Sequence, residues 1–524
     1  MSLATTTPVP GPPRGHLAAH DWRAAALVAA LVGVALALAM RGDYVPLVAP
    51  LALGAGAWAL LRQPEWAVPL FAFLLYTNAS AVAVQIHGLP FIVAASVPLL
   101  LCLPIASALL LQREAPVVTP ALPFILAFLA VQLVGALFAI RPEEAMAALV
   151  TSFLEGLVLY VLVTNAIRTP AVLQQVLWAL IAAGAFMGAV VGFQHLTGRY
   201  DDDFLGFAQV DVSGIGFVVD AASELRQPRV GGPLGMPNRF SQIMAVLIPI
   251  ALFQVQASRS RKAKLLAGAS VALILIGFAL GFSRGAAVGL SATFLVMLAM
   301  GYIKGRQLVV MALAVAVVVL AVPQFAVRIA SLANVAGLAT QAGGPGLDEA
   351  DSSTQGRITE MVAGVLIFAD HPVIGVGPEM YRRHYPDYAR IAGGRVRPNS
   401  REAHSLPVHI GAEHGAVGLA LFAAIFWVTI RDLLRARRHV ATSRPDQARL
   451  ATGVLLAVVT FLATSVFLHA SFIRYQWFLL ALAAATSRVL LAQQPAPRMQ
   501  LARLVRMGVG APRRDRPAPE PEHA

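Results

Sequence analysis

The chain has 524 residues, of which 58% are hydrophobic and 13% charged, and its mean hydropathy is +0.71. A soluble domain carries about 25% charged residues, so the composition excludes an ordinary soluble protein and requires one that crosses a membrane repeatedly. The net charge of +13 lies in short segments between apolar runs, not on an arginine-rich helix with interleaved aromatics, which argues against nucleic-acid binding.

Taken in chain order, residues 1–20 are Pro-rich and are expected to be a disordered cytoplasmic N-terminus. The first apolar run, near 24–40, has no small-residue cleavage site followed by polar sequence, and it reads as a retained span rather than a signal peptide. Further apolar runs lie near 45–62, 66–86, 90–111, 119–140, 147–166 and 172–194. Together these make an N-terminal transmembrane region over 21–194. Cys102 is the one cysteine; it falls within a run, which rules out an intrachain disulfide and a cysteine-based metal centre.

A loop over 195–236 follows, acidic at Asp201-Asp202-Asp203. Runs at 237–255, 265–282, 286–303 and 307–323 form a second transmembrane region, 237–323. The stretch from Leu265 to Gly301 is apolar except at Ser283-Arg284-Gly285. As one helix it would extend about 55 Å, against a hydrocarbon core of about 30 Å. It must fold back there, with Gly281, Ser283 and Gly285 supplying the turn. That puts Arg284 at the interface, away from the costly bilayer centre.

A large polar loop spans 324–404. Within it, Arg357 to Ile367 reads as an amphipathic helix, broken by Pro372 and Gly375–Gly377, and a second short helix is expected around Glu379–Arg390. Both are expected on the membrane surface. Spans at 405–430, 450–469 and 474–491 complete a third region, 405–491, before a basic tail, 492–524, expected to be disordered and cytoplasmic. The fold class is all-α, a polytopic transmembrane helical protein of about twelve to fourteen spans. With the N-terminus in the cytoplasm, Arg62, Arg113, Arg168, the Arg259–Lys264 cluster, Lys304–Arg306 and Arg431–Arg449 all fall on the inner side, as the positive-inside bias requires. The loops 195–236 and 324–404 then face the periplasm.

His404 stands at the mouth of the 405–430 run. At an ordinary pKa near 6.5 it can take a proton at neutral pH; it reads equally well as a helix-start histidine facing water. Glu413 lies nine residues on, about 13 Å further and on the opposite face of a regular helix, so it cannot orient His404 directly. It reads as an inward-facing structural carboxylate, and Glu155 is a similar case. Gly411 and Gly415 form a GxxxG pair expected to admit a close neighbouring helix. Arg229, Arg284 and Arg357 all fall on the predicted outer side, where a planar guanidinium suits phosphate; taken singly, each reads as an interface arginine. Arg382-Arg383 and Arg395, Arg397 and Arg401 read as solvated or headgroup contacts. Asp201–Asp203 reads as an acidic loop rather than a divalent-cation site. The chain has no HExxH, no P-loop and no GxSxG.

Four segments carry a resemblance. Arg229-Val230-Gly231-Gly232-Pro233-Leu234-Gly235-Met236-Pro237-Asn238, Phe282-Ser283-Arg284-Gly285-Ala286, Gly356-Arg357 through His371-Pro372-Val373-Ile374-Gly375-Val376-Gly377-Pro378, and His404-Ser405 with Glu413, Gly415 and Gly418 occur in the order seen in the O-antigen ligase and O-antigen polymerase superfamily of bacterial membrane glycosyltransferases, which the chain resembles from about 229 to 422. Pro407 departs from the pattern, standing where the family often has an aromatic.

The resemblance implies transfer of a glycan from an undecaprenyl-diphosphate carrier to an acceptor hydroxyl, at the periplasmic face of the bacterial inner membrane. By the same resemblance His404 is the base, and Arg229 and Arg284 bind the diphosphate. Arg357 is a further match added to that set. The partners implied are the lipid-linked donor, membrane lipids and an acceptor, with no nucleic acid. A lipid A core is placed slightly ahead of a growing glycan (the polymerase alternative) or a protein. No cofactor and no essential metal are expected. A lipid-linked oligosaccharide transporter is the rival class, but the paired repeats and midplane charges such proteins show are not evident.

Overall fold

The computed structural model describes residues 54, 56, 58–211, 217–220, 225–306, 348–393, 402–468 and 473–493. The N-terminus 1–20, the spans expected at 24–40 and 307–323, most of that at 45–62, residues 494–524, and Arg395, Arg397 and Arg401 lie outside them. The chain divides into two units, Met1–Ala67 and Val68–Ala524. In the first, the Arg62 guanidinium lies 4.9 Å from the centre of the Trp58 ring.

The second unit is built from helices. They are α1 (Ala67–Tyr76) and α2 (Ala79–Gln85), α3 (Phe91–Leu111), α4 (Leu122–Leu137), α5 (Pro142–Ala166) and α6 (Pro170–Thr197), α7 (Pro237–Ala257), α8 (Arg261–Leu280) and α9 (Arg284–Ala299). After these come α10 (Asp348–Asp370), α11 (Tyr381–Ile391), α12 (Leu406–Val440), α13 (Pro445–Ser465) and α14 (Ile473–Leu491). Seven described helices are long and apolar enough to cross a membrane, or eight if the pair bent by 55° at the α1–α2 break is one span. The fold is that of an all-α polytopic membrane protein.

Sequence sets the boundaries. Thr169 caps α6 by accepting a hydrogen bond from the Val172 N–H at 3.2 Å, with Pro170 as the first helical residue, where its missing N–H costs nothing. Ser260 caps α8 in the same way. The apolar stretch 265–301 does fold back: α8 ends at Leu280 and α9 begins at Arg284. Helices α7 and α13 are the most buried spans and pack on each other. In that seam the Gln242 amide donates to the Thr464 and Ser465 hydroxyls, both at 3.0 Å. A polar group in a lipid-embedded core has no water to turn to, so such pairs fix the register.

The short basic connections meet one another. Arg259, between α7 and α8, bonds Asp446 at the start of α13 at 2.6 Å. Arg437 lies over the ring of Tyr302, just beyond α9. Arg488 near the end of α14 donates to the Ile167 carbonyl between α5 and α6 at 2.5 Å, and Arg168 there pairs with Glu114 at 2.7 Å. These loops share one end of the helix bundle, as a single membrane orientation demands.

Three expectations change. The 195–236 segment, read as loop, contains two short antiparallel pairings: β1 (Gln209–Val210) with β4 (Val230–Gly232), and β2 (Phe217–Asp220) with β3 (Leu225–Gln227). Strands this short carry no readable alternation. The helix expected from Arg357 to Ile367 is the interior of α10, which starts nine residues earlier. Finally, α12 is not regular: Gly415 has φ 64 and ψ −167, a break inside it.

Candidate functional site

The arginine side begins at the β1–β4 pairing. The Asp211 N–H donates to the Arg229 carbonyl at 3.0 Å, which holds Arg229 next to β4. One terminal nitrogen of its guanidinium donates to Asn238 Oδ1 at 2.9 Å and to the Gly281 carbonyl at 3.1 Å. Arg229 is thus tied both to the start of α7 and to the α8–α9 turn. In that turn Phe282 has φ 48, Ser283 caps α9 by accepting from the Ala286 N–H, and Arg284 follows as its first residue. Burial pushes Arg229 down to about 10, against the pull of Asp211, and repulsion from Arg357 and Arg284 adds to it. Arg357 repels Arg284 in turn. Three guanidinium groups from β4's edge, α9 and α10 therefore share one electrostatic neighbourhood.

The histidine side begins one helical turn from Arg357. Glu360 follows it by three residues on α10, which places both on one helix face. The Glu360 side chain is 1% exposed, and its Oε2 lies 2.7 Å from Nδ1 of His404, itself 23% exposed. The same Nδ1 lies 3.0 Å from the Glu402 carbonyl. The hydrogen-bond partner is that carbonyl, which can only accept, while the Glu360 carboxylate is a charge contact. Nδ1 of the neutral ring therefore carries the proton, and Nε2 keeps its lone pair. His404 has φ 48, a left-handed conformation for a non-glycine residue. Glu402 is held by Arg239 on the first turn of α7, at 3.3 Å. Of the seven non-glycine residues with positive φ among the described residues, Phe282, Glu379 and His404 fall in or next to the motif segments. Strain of this kind costs about 1–3 kcal/mol each and persists where surrounding structure enforces it.

The first turn of α12 contains Pro407, tolerated there because its N–H would be unpaired anyway. Below it the helix is broken by an incoming loop. Val376 N–H donates to the Ala412 carbonyl at 3.1 Å, Gly377 N–H to that of Glu413 at 2.9 Å, and Ala416 N–H to that of Pro372 at 2.7 Å. Residues 372–377 thus run along 412–417 like a strand. A Cβ on Gly415 would lie 2.2 Å from the Val373 carbonyl oxygen. This corrects the GxxxG reading: Gly415 makes room for a loop, not a helix. Gly411 is ordinary, its Cβ position 3.5 Å from Phe368. Gly418 lies against His414, whose ring packs edge-on to Phe128.

Glu413 is 5% exposed and lies 3.4 Å from His409 Nε2, one turn earlier. Its Oε1 also accepts from the Tyr381 N–H at 3.1 Å, capping α11. Tyr381 in turn donates its hydroxyl to the Glu360 carbonyl at 2.5 Å. Glu413 joins α12 to α11 and is separate from the Nδ1 side of His404. Arg383, read as solvated, makes a two-point pair with Glu144 on α5, at 3.0 and 2.5 Å.

Elsewhere the candidates are quiet. Asp202 and Asp203 accept from the N–H groups of Phe204 and Gly206, so they stabilise a turn. Glu155 sits in a π-helical turn of α5 over 152–158. Among the described residues no group of three or more His, Cys, Asp or Glu is placed to hold a metal. A cavity of about 390 Å³ is lined by Thr119, Thr429, Asp432 and Arg488. It lies at the basic end, separated from His404 by most of α12.

Sequence reasoning missed Glu360, Arg239, Glu402 and Asn78. Asn78 lies at the break between α1 and α2 with φ 54, donates to the Pro233 carbonyl at 2.8 Å and accepts from Arg474 at 2.6 Å. It fixes the Arg229–Asn238 segment to α14. The i, i+3 spacing of Arg357 and Glu360 was readable; the partners of the others are separated by too many residues for any local pattern.

The fold and this constellation define a polytopic helical membrane protein with arginines and a carboxylate-paired histidine at one end of its helices. Residues 269–423 match the family described as O-antigen ligase. The match contains Arg284, Arg357, His404 and Glu413; Arg229 lies before it. No curated protein matches the chain.

Proposed function

We propose that this protein is a membrane glycosyltransferase that moves a glycan from a polyprenyl-diphosphate carrier to an acceptor hydroxyl on the periplasmic face of the inner membrane. The observation that carries the reading is the convergence of Arg229, Arg284 and Arg357. Like charges held together oppose folding, and such a cluster makes chemical sense as the seat of a multivalent anion. A diphosphate fits, because guanidinium groups can meet its oxygens in pairs.

In this reading the acceptor oxygen attacks the anomeric carbon and gives its proton to Nε2 of His404. The bond from that carbon to the carrier phosphate breaks, and the polyprenyl diphosphate departs with the electron pair. The arginines stabilise the charge that grows on it. A positioned base contributes about 10²–10⁴-fold. Because guanidinium groups neutralise the diphosphate, the reaction needs no divalent cation. The acceptor proposed first is a lipid A core; a growing glycan would make the same site a polymerase.

The test is purified protein in proteoliposomes, given a polyprenyl-diphosphate glycan and each acceptor, with the product identified by mass spectrometry. His404→Ala should abolish transfer while the protein still inserts and melts normally. Full activity in that variant overturns the base assignment. Activity should also survive thorough chelation; a loss restored by Mg²⁺ overturns metal independence.

A further inference from the structure

The site contains a buried carboxylate that the proposed reaction does not itself use. We infer that Glu360 is a positioning residue for His404: it fixes the ring with Nδ1 protonated and Nε2 presented to the acceptor, and it stabilises the imidazolium formed when Nε2 takes the proton. This rests on the reading of His404 as the base.

The geometry supports it in three ways. The contact is short, 2.7 Å, and one-sided: Glu360 is buried while the histidine reaches toward solvent. A carboxylate next to Nδ1 favours one tautomer and the charged ring together. The carboxylate is also placed by more than its own helix, since Tyr381 donates to the Glu360 carbonyl and is itself tied through its N–H to Glu413. On the other flank the Glu402 carbonyl reaches the same Nδ1, and Arg239 holds the Glu402 side chain. The Nδ1 edge of the ring faces Glu360 from α10 and the Glu402 carbonyl from the preceding backbone, and His404 itself has a left-handed φ of 48.

Among the described residues the charged groups near the ring include Glu360 from α10, Glu402 from the preceding residues and Arg239 from α7. Because Arg357 lies one turn away on α10, the helix that carries an arginine of the anion site also carries the carboxylate that orients the base.

The experiment measures transfer by the full-length protein in proteoliposomes for Glu360→Gln, Glu360→Asp and Glu360→Ala, alone and with His404→Ala. Glu360→Gln should lower kcat by about 10²–10³-fold with the donor KM changed by less than about threefold. Glu360→Asp should recover part of the rate, and the double variant should be no worse than His404→Ala alone. If Glu360→Ala fails to insert, the isosteric glutamine variant carries the test. An unchanged kcat in Glu360→Gln, with His404→Ala inactive, overturns this inference alone. A rate loss accompanied by an equal rise in donor KM, or with no recovery in Glu360→Asp, assigns Glu360 a structural role and also overturns it. An active His404→Ala removes the reading beneath it.

Discussion

The guanidinium of Arg229 donates to the carbonyl of Gly281 at 3.1 Å, so a residue next to β4 is fastened to the turn from which Arg284 projects. Arg229 thus has two jobs, carrying charge and setting the place of a second charge. Lysine keeps the first and weakens the second, since both bonds come from one terminal nitrogen and the ammonium of the shorter lysine side chain falls short of that position. Arg229→Lys should therefore raise the donor KM about tenfold, and Arg229→Ala should lower kcat/KM at least about 10²-fold. Steady-state kinetics with the lipid-linked donor checks this; a lysine variant indistinguishable from wild type would mean that only charge matters.

Glu413 should behave as a structural group. It caps α11 through the Tyr381 N–H and pairs with His409. Removing one member of a buried charged pair costs about 3–5 kcal/mol. Glu413→Ala should then lose much of its folded yield, whereas Glu413→Gln, which keeps an acceptor for Tyr381, should lose less and retain a near-normal kcat. Thermal melting in detergent beside the transfer assay separates the two. A stable Glu413→Gln protein without activity would place Glu413 in the chemistry instead.

What the sequence made legible follows from the range of the forces involved. Helices α3 to α9 were readable because apolar length and basic flanks are local properties, and the α8–α9 fold-back followed from helix length against bilayer thickness. Arg229, Arg284 and Arg357 were read from the sequence as outer-side cations, but their mutual proximity depends on the Arg229–Gly281 bond and on where α10 lies, which no local pattern encodes. Gly415 was misread for the same reason. GxxxG spacing describes a smooth helix, and only the approach of Val373 and its neighbours reveals a break. Glu360 was overlooked because a glutamate on a polar helix face looks solvated until its partner, 44 residues later, is known.

A pH effect follows from Glu379, which lies between α10 and α11 with φ 60. Loss of water and then the Glu413 carboxylate push its carboxyl up from the ordinary value, against the pull of His409 and Arg382. An acid whose pKa is raised by folding binds its proton more tightly in the folded state. Its contribution to stability is therefore largest at low pH and is lost as pH rises from the ordinary carboxylate range through the raised value. Glu379→Gln removes that dependence. Relative to this variant, wild-type protein should lose melting temperature as pH rises above the ordinary carboxylate range. Parallel melting curves for the two would show that Glu379 ionises in the folded state as freely as in water.

The break in α12 gives the sharpest contrast between two neighbouring glycines. At Gly415 an alanine would have to adopt φ 64 with ψ −167 and place its Cβ 2.2 Å from the Val373 carbonyl oxygen. Backbone strain of about 1–3 kcal/mol and a similar overpacking cost add there, and relief would require the 372–377 loop to lift off α12. That loop leads into Glu379 and α11, so the contacts of Tyr381 with Glu360 and Glu413 would loosen with it. Gly411→Ala meets only the Phe368 ring at ordinary contact distance, and alanine favours the helix by up to about 1 kcal/mol. Gly415→Ala should accordingly abolish or greatly reduce folded yield and activity together, while Gly411→Ala melts within a few degrees of wild type and stays active. Size-exclusion profiles and melting curves of the two variants decide it: a well-folded, active Gly415→Ala protein would mean that α12 can run straight through this point.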